Sequence, residues 1–502
     1  MSRIASTWVS ALAVPDFDAQ EPLNRQIYGK LRDAILAGRL APGAQIPSTR
    51  ELARELGVGR NTVLKAVEQL MTEGYLQGER GSGTYVHRTL PEEATRVSQL
   101  TTVRQSSTTR RVPLPRRVQD LTTMTALLPR TGKLKPFLPC VPAVDAFPFA
   151  LWGKLLQKHW RRQDSHLLGL GDPAGYLPLR RAIAEYLASA RAVNCAPEQV
   201  IVVSGAQQAL DLVSRVLIEP GDSVWIEDPG YQGMRATLTF AGATLVPVPV
   251  DEEGLQVQAG KARAPNARMV YVTPSHQFPL GHTLSLARRL ELLAWSRDAG
   301  AWILEDDYDS EYRYTSRPIP ALQGLARDDQ VLYVGTLSKV LYPSLRLGYL
   351  VVPQSLVEIF AMARSLAAGA PSLVDQAVLA EFISEGHFAR HIRRMRTLYQ
   401  QRRAVLLEAA SRELKGLLEI HAADAGLHAV GWAQTGTDDQ LMCKRASVAG
   451  IDTLPVSSLY HGPQRKCGLV LGFAPFDQDE IHSGMRKLAQ ALSQFHRRVE
   501  SG

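Results

Sequence analysis

Residues 331–351 read VLYVGTLSKVLYPSLRLGYLV. An apolar, β-rich run delivers Thr336, Ser338 and Lys339 to its end, Arg346 follows seven residues after the lysine, and LRLGYLVV (345–352) forms a second β-like run. Most lysines are simply solvated. This one sits among apolar neighbours, behind two hydroxyls and ahead of a guanidinium. A partly desolvated amine loses its proton more easily and becomes nucleophilic, while hydroxyls and an arginine can hold a phosphate beside it. Lys339 is therefore the candidate Schiff-base lysine, with Thr336, Ser338 and Arg346 as candidate phosphate ligands.

The surrounding chain repeats the same organisation. QVIVVSG, SVWIEDPG, ATLVPVPV, RMVYVTPS, AWILEDDYD, VLYVGTLSKV and LRLGYLVV alternate with helical stretches. Several are continuous apolar runs without alternation, as expected for strands covered on both faces. The expectation is an α/β domain with a mainly parallel sheet and ligands at the carboxyl ends of its strands. Three further motifs fall at such ends. VIVVSGAQQALDLVSRVL (200–217) is a strand, a glycine turn and a helix start, so Gly205, Ala206 and Gln207 offer free N–H groups at a positive helix end. Strand, Ser-Gly and helix is a common combination, and alone it is a weak signal. EDPGYQG (227–233) places Tyr231 after a Pro-Gly turn, where it can stack on a flat heteroaromatic ring or simply pack on the surface.

AWILEDDYDSEYRY (301–314) puts consecutive carboxylates at a strand end, which is costly unless something positive pairs with them. No histidine or further carboxylate cluster accompanies them at metal-ligand spacing, so no metal is expected. The other partner is a protonated pyridine nitrogen: Asp306 would keep it protonated, and Tyr308 would donate to the ring's phenolate oxygen. The order glycine turn, tyrosine, Asp-x-Tyr, lysine and arginine resembles the fold-type I aminotransferases, with GDPAGYLPLRRAIAEYL, EPGDSVWIEDPGY and TPSHQFPLG as further framing. That resemblance implies pyridoxal 5'-phosphate as cofactor. Three positions depart from the family pattern. Phe278 stands where N-P-x-G has an asparagine that contacts the ring oxygen. Val470 stands where R-L-S-F-A has the arginine for the α-carboxylate, and Leu170 where a tyrosine reaches the partner subunit's phosphate. The amino-acid clamp is thus altered; Arg465 and Arg235 are candidate substitutes.

The 502 residues exceed what this domain needs, and two or three domains are expected. Net charge is +8 with a pI near 9.3, which permits nucleic-acid binding without establishing it. Cys140, Cys195, Cys443 and Cys467 lie far apart, as reduced thiols of a cytoplasmic protein would, and no apolar run is long enough to span a bilayer. The N-terminal TWVSALAVP is too short and too polar for a signal peptide.

Residues 21–88 form a second unit. Leu23, Ile27, Leu31 and Ile35 stripe one helix; a second opens at Ser48 with Glu51 completing a capping box, and Gly57 ends it. The third is expected to bury Val63, Val67, Leu70 and Met71 while presenting Arg60, Asn61, Thr62 and, one turn on, Lys65. YLQGERGSGTYV then reads as a two-stranded wing around a glycine-rich tip bearing Arg80. The alternative is a generic small helical domain with a solvated charged face. PSTRELARELGVGRNTV and EGYLQGERGSGTYV resemble the winged helix of GntR-family regulators. By that resemblance Arg50, Arg60, Asn61, Thr62, Arg80 and Gly81 would touch DNA. Leu64 takes a place where some relatives have arginine, so base preference does not carry over.

Residues 89–130, rich in Ser, Thr, Gln, Arg and Pro, read as a flexible linker reaching on the order of 35 Å, and 1–20 as an N-terminal arm. The expected domains are therefore 21–88, a winged helix-turn-helix, and 131–502, an aminotransferase-like α/β effector domain. A winged helix joined to such a domain is similar to the MocR/GabR-type regulators. The resemblance implies a head-to-tail homodimer that binds double-stranded operator DNA and responds to pyridoxal phosphate, an amine or an amino acid. The competing reading is a working aminotransferase with an accessory DNA-binding module. Multiple turnover with amino acids and a keto acid would separate the two, and Val470 argues against efficient transamination.

Overall fold

A computed structural model of the chain describes residues 21–79, 82–88, 132, 134–162, 164–314, 319–368, 371–421, 424–463 and 466–499. The expected arm at 1–20, the whole of the expected linker at 89–130, and Arg80, Gly81 and Arg465 lie outside the described residues. Contacts divide the chain into two units, 1–113 and 114–502, and each is described by itself.

The first unit holds α1 (Leu23–Leu36), α2 (Thr49–Glu55) and α3 (Arg60–Thr72). Their apolar faces meet in one core that includes Ile27, Leu31, Ile35, Leu52, Val63, Val67 and Leu70. Ser48 caps α2 as its sequence indicates: its hydroxyl accepts from the Glu51 N–H at 3.3 Å, and the Glu51 carboxylate accepts from the Ser48 N–H at 3.1 Å. Gly57 then turns the chain with φ +65°, a conformation that a side chain would strain. Two expectations are corrected: Leu23, the first residue of the α1 stripe, is exposed and outside the core, and in α3 Ala66 is buried while Met71 is only half-buried at the core's edge. The wing strands β2 (Leu76–Glu79) and β3 (Gly83–Val86) pair antiparallel, and a strand not foreseen, β1 (Gln45–Ile46), extends them to the order β1-β3-β2. Two residues are too few to carry a period, so only the pairing reveals β1.

The second unit is built on an eight-stranded sheet of order β4-β11-β10-β9-β8-β5-β6-β7. In chain order its strands are β4 (Val200–Val203), β5 (Ser223–Asp228), β6 (Thr244–Asp251), β7 (Gly254–Leu255), β8 (Met269–Val272), β9 (Trp302–Asp307), β10 (Val331–Thr336) and β11 (Gly348–Val351). All seven strand runs read from the sequence are present. β4, β8, β10 and β11 are buried along their whole length, which explains their unbroken apolar character. The central pairings are parallel, while β11 runs antiparallel to both β10 and β4. A second, antiparallel sheet of order β12-β13-β15-β14 was not anticipated: β12 (Glu419–His421), β13 (His428–Trp432), β14 (Leu454–Pro455) and β15 (Gly468–Gly472). Val430 and Val470 pair in register across β13 and β15 and help form an apolar wall with Phe278, Tyr308, Val456 and Leu459.

Candidate cofactor site and nucleic-acid interface

The registers of the large sheet bring the sequence motifs to one edge. Thr336, the last residue of β10, pairs with Gly348 at the start of β11, and Gly348 pairs with Val203 at the end of β4. Ser338 and Lys339 therefore leave the sheet beside the Ser204-Gly205 turn, with Arg346 two residues ahead of β11. A Cβ on Gly348 would press on the Gly205 backbone, which is how closely these segments approach. Gly205 has φ +88° and opens the helix Ala206–Leu217, so the N–H groups of its first turn are directed outward. The Gln207 side chain is occupied, donating to Thr237 Oγ1 at 2.7 Å and to the Gly233 carbonyl at 3.2 Å. Its main-chain N–H is what it can offer an anion. Arg346 is exposed, with φ +46°, and Ser338 is half-buried.

Tyr231 ends the turn after β5, and its ring lies against Gly233, where a Cβ would collide with it. Its hydroxyl donates to Gln207 Oε1 at 3.3 Å, and Phe278 stands edge-on to it with ring centroids 6.0 Å apart. Asp306 is 5% exposed. Tyr271, from β8, donates to its Oδ2 at 2.7 Å, while its Oδ1 is buried without a partner among the described residues. Burial pushes the Asp306 carboxyl up to about 6, against the opposing pull of Tyr271 and Lys339. A carboxylate with one oxygen held and the other bare suits a protonated ring nitrogen, so the residues present fit pyridoxal phosphate.

Lys339 is half-buried, with its ammonium 4.2 Å from the centroid of the Tyr308 ring. The sequence reading expected desolvation to free its proton, and this is corrected. Burial does push the amine down, but Cys140, Tyr231, Asp309 and Asp306 together pull it above its ordinary value. At neutral pH the Cys140 thiol and Tyr231 phenol, both pushed up by burial, are uncharged, so the two aspartates act there. The Tyr308 hydroxyl lies 2.9 Å from His276 Nδ1, and His276 in turn meets Asp309. Cys140, Tyr271, His276, Asp309 and His428 were not singled out from the sequence. His276 lies inside TPSHQFPLG, the one signal that could have found it.

Val470 is fully buried in the apolar wall, and Phe278 is buried against the same wall. Arg235 donates to the Tyr460 carbonyl at 3.2 Å. Leu170 is 96% exposed. Among the described residues no cluster of three or more His, Cys, Asp or Glu is arranged to hold a metal ion, and no helix is long and apolar enough to cross a membrane.

In the first unit, Arg50, Arg60, Asn61 and Lys65 are exposed and Thr62 is half-buried. All but Arg50 lie in the first two turns of α3; Arg50 comes from the first turn of α2. The arrangement presents donors to a polyanion without disturbing the core.

Residues 23–86 match the family described as bacterial regulatory proteins, gntR family, and 146–426 match aminotransferase class I and II. The chain is 42% identical, over 96% of its own length and 96% of the relative's, to the probable rhizopine catabolism regulatory protein MocR of Rhizobium meliloti. It is 30% identical, over 93% and 95%, to the pyridoxine biosynthesis transcriptional regulator PdxR of Corynebacterium glutamicum. Among solved structures, Pyrococcus horikoshii kynurenine aminotransferase superimposes with a TM-score of 0.68 at 25% identity, covering 76% of this chain and 95% of that one. Thermus thermophilus LysN, an α-aminoadipate aminotransferase, gives a TM-score of 0.68 at 26% identity over 76% and 95%. The chain belongs to the MocR-type transcriptional regulators, in which a gntR-family winged helix is joined to a pyridoxal-phosphate fold of aminotransferase class I and II.

Proposed function

We propose that this regulator carries pyridoxal phosphate on Lys339 and that loading of the site, or entry of an amine into it, changes its affinity for operator DNA. Asp306 pairs with the ring nitrogen, Tyr231 covers the ring and Tyr308 faces its phenolic oxygen. Gly205, Ala206, Gln207, Thr336, Ser338 and Arg346 surround the phosphate. Bound there, the cofactor supplies an aldehyde for an amine and an electron-accepting ring. The observation that carries this reading is the buried Asp306, with one oxygen held by Tyr271 and the other without a partner among the described residues. On the DNA side Arg50, Arg60, Asn61, Thr62 and Lys65 contact the duplex, joined, as the family resemblance implies, by Arg80 and Gly81.

The chain would act in the cytoplasm as a head-to-tail homodimer, with domains at 21–88 and 131–502 and a linker between them. Val470 and Phe278 put no charge or amide where the family pattern has its arginine and asparagine, which favours regulation over turnover. It also favours an effector unlike a simple α-amino acid, or the cofactor itself as signal. A relative named for control of pyridoxine biosynthesis supports the latter. A ligand can shift DNA affinity only by as much as it prefers one conformation over another. The test is to titrate operator DNA against cofactor-free, loaded and amine-treated protein at one salt concentration. Affinity that differs among the three supports the coupling. Equal affinity in all three overturns it, and sustained multiple turnover with amino acids and a keto acid would favour a working aminotransferase.

A further inference from the structure

Beside the proposed ring site lies a buried group of polar side chains with no place in the scheme above. Asp309, 1% exposed, sets both carboxylate oxygens against His276 Nδ1, at 3.0 and 3.2 Å. The Tyr308 hydroxyl meets the same nitrogen at 2.9 Å. His276 is 2% exposed, and a Cβ on Gly426 would collide with its ring, so that glycine, at φ +83°, lets the backbone lie flat against the imidazole.

One nitrogen cannot serve two partners in opposite senses. A carboxylate only accepts, so Nδ1 must carry the hydrogen and donate it toward Asp309. The Tyr308 oxygen then meets an N–H rather than a lone pair, and the tyrosine's own hydrogen must go elsewhere. Without Asp309, imidazole could equally carry its hydrogen on Nε2, leaving Nδ1 to accept from Tyr308 and turn that hydrogen inward. The other facing groups do not compete for Nδ1. His428, from β13, donates Nε2–H to the Pro279 carbonyl at 3.0 Å and is held neutral by burial. Asp306 is engaged by Tyr271, Lys339 sits over the Tyr308 ring, and Cys140 is a half-buried thiol. His282, also near His276, is pushed down by burial.

We propose that Asp309 and His276 are positioning residues that fix Tyr308 as a hydrogen-bond donor to the phenolic oxygen of bound pyridoxal phosphate. This rests on the cofactor reading above. It has a reason in the same wall: Phe278 has no donor to give that oxygen, so the task falls on Tyr308. The consequence is spectroscopic. A hydrogen bond to the ring oxygen competes with the proton that the Lys339 linkage nitrogen shares with it, and so lowers that nitrogen's proton affinity.

The experiment follows the visible band of the loaded full-length protein against pH. His276→Phe, which leaves the Asp309 charge in place, should raise the titration midpoint by about one pH unit or more, equivalent to a tenfold or larger change. Tyr308→Phe should raise it at least as far, and adding His276→Phe to Tyr308→Phe should add nothing further. A purely structural role would lower the melting temperature and leave the midpoint in place. An unmoved midpoint in folded His276→Phe, or shifts that add fully in the double variant, would overturn the proposal. His276→Phe keeps a ring against Gly426; if it does not fold, Asp309→Asn carries the test, where loss of the charge alone lowers the midpoint, so that a rise supports the proposal and a fall overturns it. A wild-type protein that stays colourless with added cofactor would overturn the cofactor reading together with this one, whereas a coloured wild type with unmoved variants overturns the relay alone.

Discussion

The two units use charge in opposite ways. The winged helix holds Arg50, Arg60 and Lys65 in water, on helices whose buried faces are wholly apolar. The aminotransferase-like unit holds Asp306, Asp309 and Glu227 almost fully buried around one edge of its sheet. Solvated charges cost the fold little and act on a partner that brings its own counterions, so their effect is graded and salt-dependent. Buried charges are tied to protonation and to whatever fills the site, and removing one leaves its partner stranded. DNA contacts should therefore be separable from folding, and the cofactor contacts should not.

The sharpest way to break that comparison is at Lys339. Lys339→Ala should abolish borohydride-fixed cofactor altogether, with operator binding by the unloaded protein unchanged; mass spectrometry and gel shift read the two outcomes. Next comes Asp306→Asn, which removes the ionised partner of the ring nitrogen. It should weaken cofactor binding by about 3 kcal/mol, on the order of a hundredfold, in an absorbance titration. Equal affinity would show that the bare oxygen faces something other than the ring.

The same carboxylate makes a pH prediction for the cofactor-free protein. Its folded-state value, about 6, lies above the ordinary 3.8, so the folded state binds the proton more tightly. Asp306 then contributes most stability below about 4, and that contribution is lost as pH rises through about 6. The difference between wild type and Asp306→Asn in denaturant titrations should change by on the order of 2–3 kcal/mol across that window. Glu227, raised to about 7 chiefly by burial, adds a term of the same sign that both proteins share. A flat difference would mean that Asp306 keeps its charge when the site is empty.

Among the solvated charges the effects shrink. Arg60→Ala and Arg50→Ala should each weaken operator binding by about 1–3 kcal/mol while leaving cofactor absorbance unchanged. Affinity unaltered by both would place the DNA on another face. Smallest of all, Ser48→Ala removes one half of a reciprocal cap and should lower hydrogen-exchange protection in Thr49–Glu55 by about 1 kcal/mol.

Several of these residues could be read directly from the chain because local physics exposes them. The Ser48–Glu51 cap is a four-residue signal, and the apolar stripe of α1 repeats every turn. The unbroken runs of β4, β8, β10 and β11 report burial on both faces. Lys339 and Asp306 were legible because polar residues at the ends of apolar runs demand a partner. His276 and Asp309 were not: they lie 33 residues apart, and a lone histidine between Ser275 and Gln277 does not show which distant residue it meets. β12 to β15 escaped for a related reason, since short antiparallel strands in a mixed helical region have too few residues to show a period.

The sequence by itself determined the two modules, the strand runs, the place of Lys339 just after one of them and the apolar residue at 470, since each is written in a window of a few neighbouring residues. Only the tertiary structure decided what those residues face. It turned Val470 into a wall shared with Val430 and Phe278, and left Asp306 one free oxygen. It pulled the Lys339 amine up where desolvation alone would have lowered it, and set Asp309 behind His276 and Tyr308. The physical reason is that hydrogen-bond sense, burial and charge pairing depend on distances of about 3 Å between segments remote in the chain. No local window contains those distances.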